Sequence, residues 1–273
     1  MKIGINTFLT DEGIGPLELG RALEERGFES LFLAEHSHIP LSRETAYPAG
    51  GELPRVYYRT LDPFVAFAAI AAVTERLVLG TGVTLLIQRD VLHTAKEVAT
   101  LDRISGGRVV FGVGVGWNRE EMADHGTDPR TRGALLDEQL AVITRTWTEE
   151  TVEFHGEHLD FAPFQAWPKP VQRPHPPIFI GGAEAAAQRA RRLGFGWIPN
   201  GVGSPAAVAE QLAPFRASGL SIAVTPAPAD PAVLDAYAEA GAVRATLKLE
   251  TLPEDETLRV LDDLAKLAAR YAG

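Results

Sequence analysis

The chain has 273 residues, 45% of them hydrophobic, and its 26 basic residues against 36 acidic ones give a formal net charge of −10. That length suits one large domain or two small ones, with enough apolar side chains for a sizeable core. The acidic balance argues against a nucleic-acid partner or an anionic membrane surface, and the lack of cysteine removes disulfides, thiolate catalysis and Cys-ligated zinc.

The start, MKIGINTFLTDEG, has no signal-peptide stretch. KIGIN (2–6) reads as strand one, followed by a helix from Pro16 to a C-cap at Gly27. ESLFLA (29–34) is strand two, and a long connection runs from Glu35 to Thr60 with Tyr47, Tyr57, Tyr58 and Arg59. Asp62-Pro63 signals a cap and first turn, and Phe64, Phe67, Ala68 and Ala71 repeat at helical spacing behind it. The run FVAFAAIAAV (64–73) is too short to span a bilayer, so a cytoplasmic protein without membrane contact is expected; its apolar face could serve a homodimer. RLVLGTGVTLL (76–86) is strand three, and Asp90 caps a helix that stops at Gly106-Gly107. RVVFGVGVG (108–116) is strand four, and Leu136, Leu140, Ile143 and Trp147 mark a long helix.

An interruption follows: TVEFHGEHLDF (151–161) alternates like a hairpin with Gly156 near its turn, and a proline-rich connector leads on. IFIGG (178–182), GFGWIP (194–199), LSIAVT (220–225) and VRATLKL (243–249) complete eight strand–helix units. Eight such units, several with strands apolar on both faces, predict a single-domain (β/α)₈ TIM barrel over 1–273. It carries insertions after strand two and after helix four, the latter at about 150–176. A doubly wound open sheet is the alternative.

In such barrels chemistry sits at the C-terminal strand ends. Here these carry Glu35-His36-Ser37-His38, Thr81-Gly82-Val83-Thr84, Gly116-Trp117-Asn118, Gly181-Gly182 and Pro199-Asn200-Gly201. Strand four places Gly112, Gly114 and Gly116 on one face, and Gly80 and Gly82 do the same on its neighbour. Either they form a bare floor against which something flat can lie, or they relieve crowding inside the barrel. The amides after Gly181-Gly182 could bind an anion at a helix start, although Glu184 opposes it; a plain tight turn is the other reading. His36-x-His38 is also a metal-pair pattern. Hydrolase barrels that use one place it after strand one and close strand eight with an aspartate. Strand eight here runs into Lys248-Leu249-Glu250, so no metal is expected.

The run TLDPFVAF…GVGWNREE (60–121) resembles the bacterial luciferase-like flavin and deazaflavin oxidoreductases, and PPIFIGGAEAAAQRARRLGFGWIPNG (176–201) is similar to that family's second block. The likeness is greatest to the branch that uses coenzyme F420, an 8-hydroxy-5-deazaflavin, with FMN as the alternative cofactor. The resemblance implies a TIM barrel acting on a small organic substrate, with a cis peptide between Gly82 and Val83 backing the cofactor ring. It implies that Thr81, Gly82, Val83, Gly114, Gly116 and Trp117 surround the ring, and that Gly181, Gly182 and Gly201 lie along the cofactor. It places Glu35 against the cofactor and makes His36 the catalytic proton donor or acceptor, a task suited to an imidazole of reference pKa about 6.5. The family's sugar-phosphate dehydrogenases carry a glutamate where this chain has Trp117, so an apolar or aromatic substrate is expected. Hydride transfer through F420, oxygen insertion through reduced FMN, metal-dependent hydrolysis and a cofactor carrier without turnover are the competing readings.

Overall fold

In chain order the elements are β1 (Lys2–Thr7), α1 (Pro16–Glu25), β2 (Ser30–Leu33), α2 (Pro63–Ala71), β3 (Val78–Thr81), β4 (Thr84–Leu85), α3 (Val91–Ile104) and β5 (Val109–Gly114). Then come α4 (Arg119–Asp124), α5 (Arg132–Thr148), β6 (Val152–His155), β7 (Asp160–Phe164), β8 (Ile178–Gly181), α6 (Glu184–Leu193) and β9 (Gly196–Ile198). α7 (Pro205–Leu212), β10 (Ala223–Ala227), α8 (Pro231–Glu239), β11 (Arg244–Lys248) and α9 (Glu254–Ala268) complete the computed structural model, which describes residues 1–215 and 218–271.

Asp62 and Asp90 cap their helices as the sequence suggested, and Asp230 and Ser204 do the same for two later ones. The carboxylates of Asp62, Asp90 and Asp230 accept from Val65, His93 and Ala232 amides at 2.9, 2.7 and 2.8 Å, and the Ser204 hydroxyl accepts from Ala207 at 3.2 Å. Each such cap is worth about 1 kcal/mol. Pro63, Pro205 and Pro231 occupy the first turns, where no amide hydrogen is missed.

The parallel strands pair in the order β10-β11-β1-β2-β3-β5-β8-β9. A parallel bridge between Trp197 and Ile222, with the Trp197 amide donating to the Ser221 carbonyl at 2.9 Å, ties β9 to the entry of β10 and nearly closes the ring. An open doubly wound sheet is thereby excluded. Two apolar layers result. Phe32, Val110, Phe179, Ile198 and Ala223 fill the barrel interior, and a larger shell, including Phe111, Trp147 and Leu140, lies between strands and helices. On α2, Phe64, Phe67 and Ile70 are buried in that shell and Val65 alone is strongly exposed, so the helix's apolar side is spent on the barrel.

Strand three departs from expectation. It is broken after Thr81 by the cis Gly82–Val83 peptide, resumes as β4 on the β5 edge, and then enters a short 3₁₀ turn at Leu86–Gln88. The inserted hairpin is β6–β7, its second strand starting later than the pattern suggested. Buried Asp102 fastens the connector behind it, accepting from the Val171 and Gln172 amides at 2.7 and 3.0 Å. No helix among the described residues is long and apolar enough to cross a membrane.

Candidate active site at the mouth of the barrel

The break in strand three builds the centre of the site. The Gly82 amide donates to the Leu33 carbonyl at 2.8 Å, and the Leu85 amide donates to the Glu35 carboxylate at 2.7 Å. The bulge from Gly82 to Leu85 is thus locked at both ends to the exit of β2. Val83, half-buried, caps the interior apolar cluster. A Cβ at either Gly114 or Gly181 would come within 2.6 Å of a Val83 methyl, so these two glycines make the recess in which Val83 nests.

The glycine face is therefore not a bare floor. A Cβ at Gly80 would lie 2.5 Å from the Phe32 ring, and one at Gly112 would collide with the Thr81 carbonyl oxygen. Both glycines relieve crowding inside the barrel, and the surface presented at the mouth is the Val83 bulge itself. Thr81 is buried and donates its hydroxyl to the Gly112 carbonyl at 2.6 Å, which ties β3 to β5. Gly116, at φ 64°, turns the chain away from β5 beside Leu85 and Met122. Gly201 abuts the Pro226 carbonyl, where a Cβ would not fit. The Gly182 amide donates to Ile198 at 3.0 Å, so any anion grip falls to the first-turn amides of α6 beyond it.

Glu35 is buried and its second oxygen accepts from Arg89 at 2.6 Å. Arg89 also meets Asp62 and Glu97, each at 2.7 Å, and lies over the Phe64 ring. Burial pushes the Glu35 carboxyl up, opposed by the guanidinium and the Leu85 amide. Glu35 thus positions the bulge and is saturated by protein partners.

His36 follows directly. Its Nδ1 lies 2.8 Å from Oε2 of Glu121, and the side chains are 6% and 0% exposed. Glu121 comes from α4, a helix absent from the sequence reading. Its signals are present: the Asn118 cap and the acidic first turn of Glu120 and Glu121. Four aromatic rings gather about the histidine. Tyr57 and Trp117 are 5.1 and 6.1 Å from the imidazole, and Tyr57 contacts Phe8 and Tyr47 at 4.6 and 5.5 Å. Burial also pushes the Tyr57 hydroxyl up, reinforced by its contact with the Tyr47 hydroxyl. Tyr57 and Tyr47 belong to the long connection, which thereby folds over the mouth.

His36 and His38 do not converge. The His38 Nε2 faces Asp124 at 3.0 Å, and Ser37 bridges His38 and His125 at 2.9 and 2.7 Å on the exposed rim. Burial holds the His125 imidazole below its ordinary value, reinforced by the nearby His38. Among the described residues no group of three or more His, Asp or Glu side chains could hold a metal ion. A cavity of about 360 Å³ opens between these groups, lined by Glu35, His36, Ser37, Gln88, Arg89 and His125.

The chain matches the family model described as luciferase-like monooxygenase over residues 16–266. It is 43% identical over 203 residues to an uncharacterized Mycobacterium tuberculosis protein, covering 72% of each. It is 32% identical over 221 residues to the F420-dependent glucose-6-phosphate dehydrogenase of Microbacterium testaceum, covering 78% of this chain and 61% of that one. In fold it resembles the monooxygenase RslO1 from Streptomyces bottropensis at a TM-score of 0.79 and 23% identity, over 100% of both chains. The relatives include both F420-dependent and FMNH2-dependent enzymes.

Proposed function

The chain belongs to the luciferase-like monooxygenase family of oxidoreductases, and we propose that it is an F420-dependent member moving a hydride between the deazaflavin and a small organic substrate. The observation that carries this reading is the Gly82–Leu85 bulge, hydrogen-bonded at both ends to the β2 exit that bears His36. The residues present fit a planar redox ring: a half-buried aliphatic surface at Val83, an imidazole at the β2 exit to which the bulge is hydrogen-bonded, and the first-turn amides of α6 for a phosphate.

When bound, such a ring supplies the carbon that gives up or accepts the hydride. The chain supplies the rest. The Val83 isopropyl, capping the interior cluster, would exclude water beneath a ring seated on it. His36, with Nδ1 held by Glu121, has Nε2 left to give a proton to the substrate oxygen or take one from it. Trp117, Tyr57 and Tyr47 present apolar faces to a substrate, so an aromatic or hydrophobic carbonyl, enone, quinone or nitro compound suits the mouth better than a sugar phosphate.

Oxygen insertion through reduced FMN is the second reading, favoured by 36% identity over 113 residues to an FMNH2-dependent dimethylsulfone monooxygenase of Pseudomonas putida, covering 39% of this chain and 31% of that one. Anaerobic single-turnover reoxidation separates the two. With reduced F420 bound, one of a panel of enones, quinones and nitro compounds is expected to restore the oxidised cofactor spectrum without oxygen. Turnover only with reduced FMN and oxygen would establish the second reading in place of the first.

A further inference from the structure

We propose that Glu121 is a positioning residue that fixes the protonation geometry of His36, holding the hydrogen on Nδ1 and leaving Nε2 as the exchanging nitrogen. The inference rests on reading His36 as the proton carrier and adds a residue from a different element, α4, to the site.

The fold satisfies its other buried carboxylates fully. Glu35 accepts from a guanidinium and a backbone amide, and Asp102 accepts from two amides and the Gln172 side chain. Both are saturated, as groups that serve only the fold should be. Glu121 is fully buried, yet its Oε1 has no hydrogen-bond partner among the described residues, and Oε2 meets His36 Nδ1 at 2.8 Å. No arginine or lysine is paired with it among the described residues. A carboxylate kept in the interior with so little compensation is costly as a structural element. Its place in the first turn of α4 offers the favourable end of the helix dipole, which lowers that cost without removing it.

The geometry has a known physical consequence. An ionised carboxylate behind one ring nitrogen accepts its hydrogen and selects the tautomer whose other nitrogen carries the free lone pair, and it stabilises the imidazolium once that nitrogen takes a proton. A free imidazole prefers the opposite arrangement only slightly, so one 2.8 Å hydrogen bond suffices to invert the population. Oε2 also restrains ring rotation, so Nε2 is held in one direction rather than sampling both.

The test uses the full chain and two readouts. Imidazole ¹⁵N shifts of cofactor-free protein report the tautomer, and turnover is measured with reduced F420. In the wild type His36 is expected as the Nδ1–H form. Glu121→Leu should give mixed tautomers and a roughly tenfold to hundredfold lower turnover, with F420 affinity within about threefold. Glu121→Gln, which keeps a neutral acceptor, should recover part of both. In a His36→Ala background Glu121→Leu should cost no further turnover. A wild-type Nε2–H form, an unchanged tautomer in Glu121→Leu, or an equal further loss in the His36→Ala background would each overturn the proposal. The wild-type measurement needs no variant, so the proposal stays testable even if Glu121→Leu does not fold. Absence of turnover with every cofactor would instead count against the oxidoreductase reading, while the tautomer still decides the role of Glu121.

Discussion

Arg89 draws together carboxylates from three places: Glu35 beyond β2, Asp62 at the cap of α2 and Glu97 on α3. Arg89→Ala leaves Glu35 buried without its cation, which should cost about 3–5 kcal/mol. The pH dependence has a definite sign. Burial raises the Glu35 carboxyl above its ordinary 4.5, so its protonated form suits the fold and the penalty grows as pH rises through the raised value. Without Arg89 only the Leu85 amide still opposes that rise, so the destabilisation should be larger at pH 8 than at pH 5, as chemical denaturation at the two values would show. An equal loss at both would mean Glu35 is not the group exposed to the penalty. At the neighbouring position, His36→Ala should keep cofactor affinity within a few-fold and lower turnover by about 10²-fold, measured by steady-state kinetics. Glu35 and His36 were legible as residues because they end a strand at the mouth. Their partners were not, because Arg89 and Glu121 are brought in from 54 and 85 positions away along the chain.

At the scale of elements, the alternating glycines have a specific cause. Gly114 and Gly181 clear the recess for Val83, and Gly80 clears space for Phe32. Gly114→Val should therefore displace the bulge, destabilising the fold by about 1–3 kcal/mol and weakening the cofactor at least tenfold. Unchanged affinity in a folded variant would show that the bulge does not support the ring. The sequence pattern showed which face was cleared but not what fills it, since the occupant follows a break in β3 that no periodicity marks. Tyr57 makes the long connection an ordered cover. Its hydroxyl is 3.4 Å from that of Tyr47, a weak bond, whereas its ring touches Phe8, His36 and Trp117. Tyr57→Phe should leave thermal stability within about 0.5 kcal/mol and Tyr57→Ala should lower it by about 1–3 kcal/mol, with faster proteolysis of residues 39–53. Equal behaviour of the two variants would remove the aromatic cluster as the cause.

For the whole molecule, the rhythm of eight strand–helix units led to the barrel, because buried parallel strands and capped amphipathic helices each leave a pattern. Closure is not a local property. It depends on the β9–β10 bridge at Trp197 and Ile222, far from any motif. Closure also gathers the exits of β2, β4, β5 and β8 at one mouth, the proposed seat of a planar redox cofactor. The most direct test of that role is an equilibrium fluorescence titration of the apo chain with F420 and, separately, with FMN. Saturable binding of F420, tighter than FMN and weakened at least tenfold in Gly114→Val, is the predicted result; failure of both cofactors to bind the folded wild-type chain would contradict it.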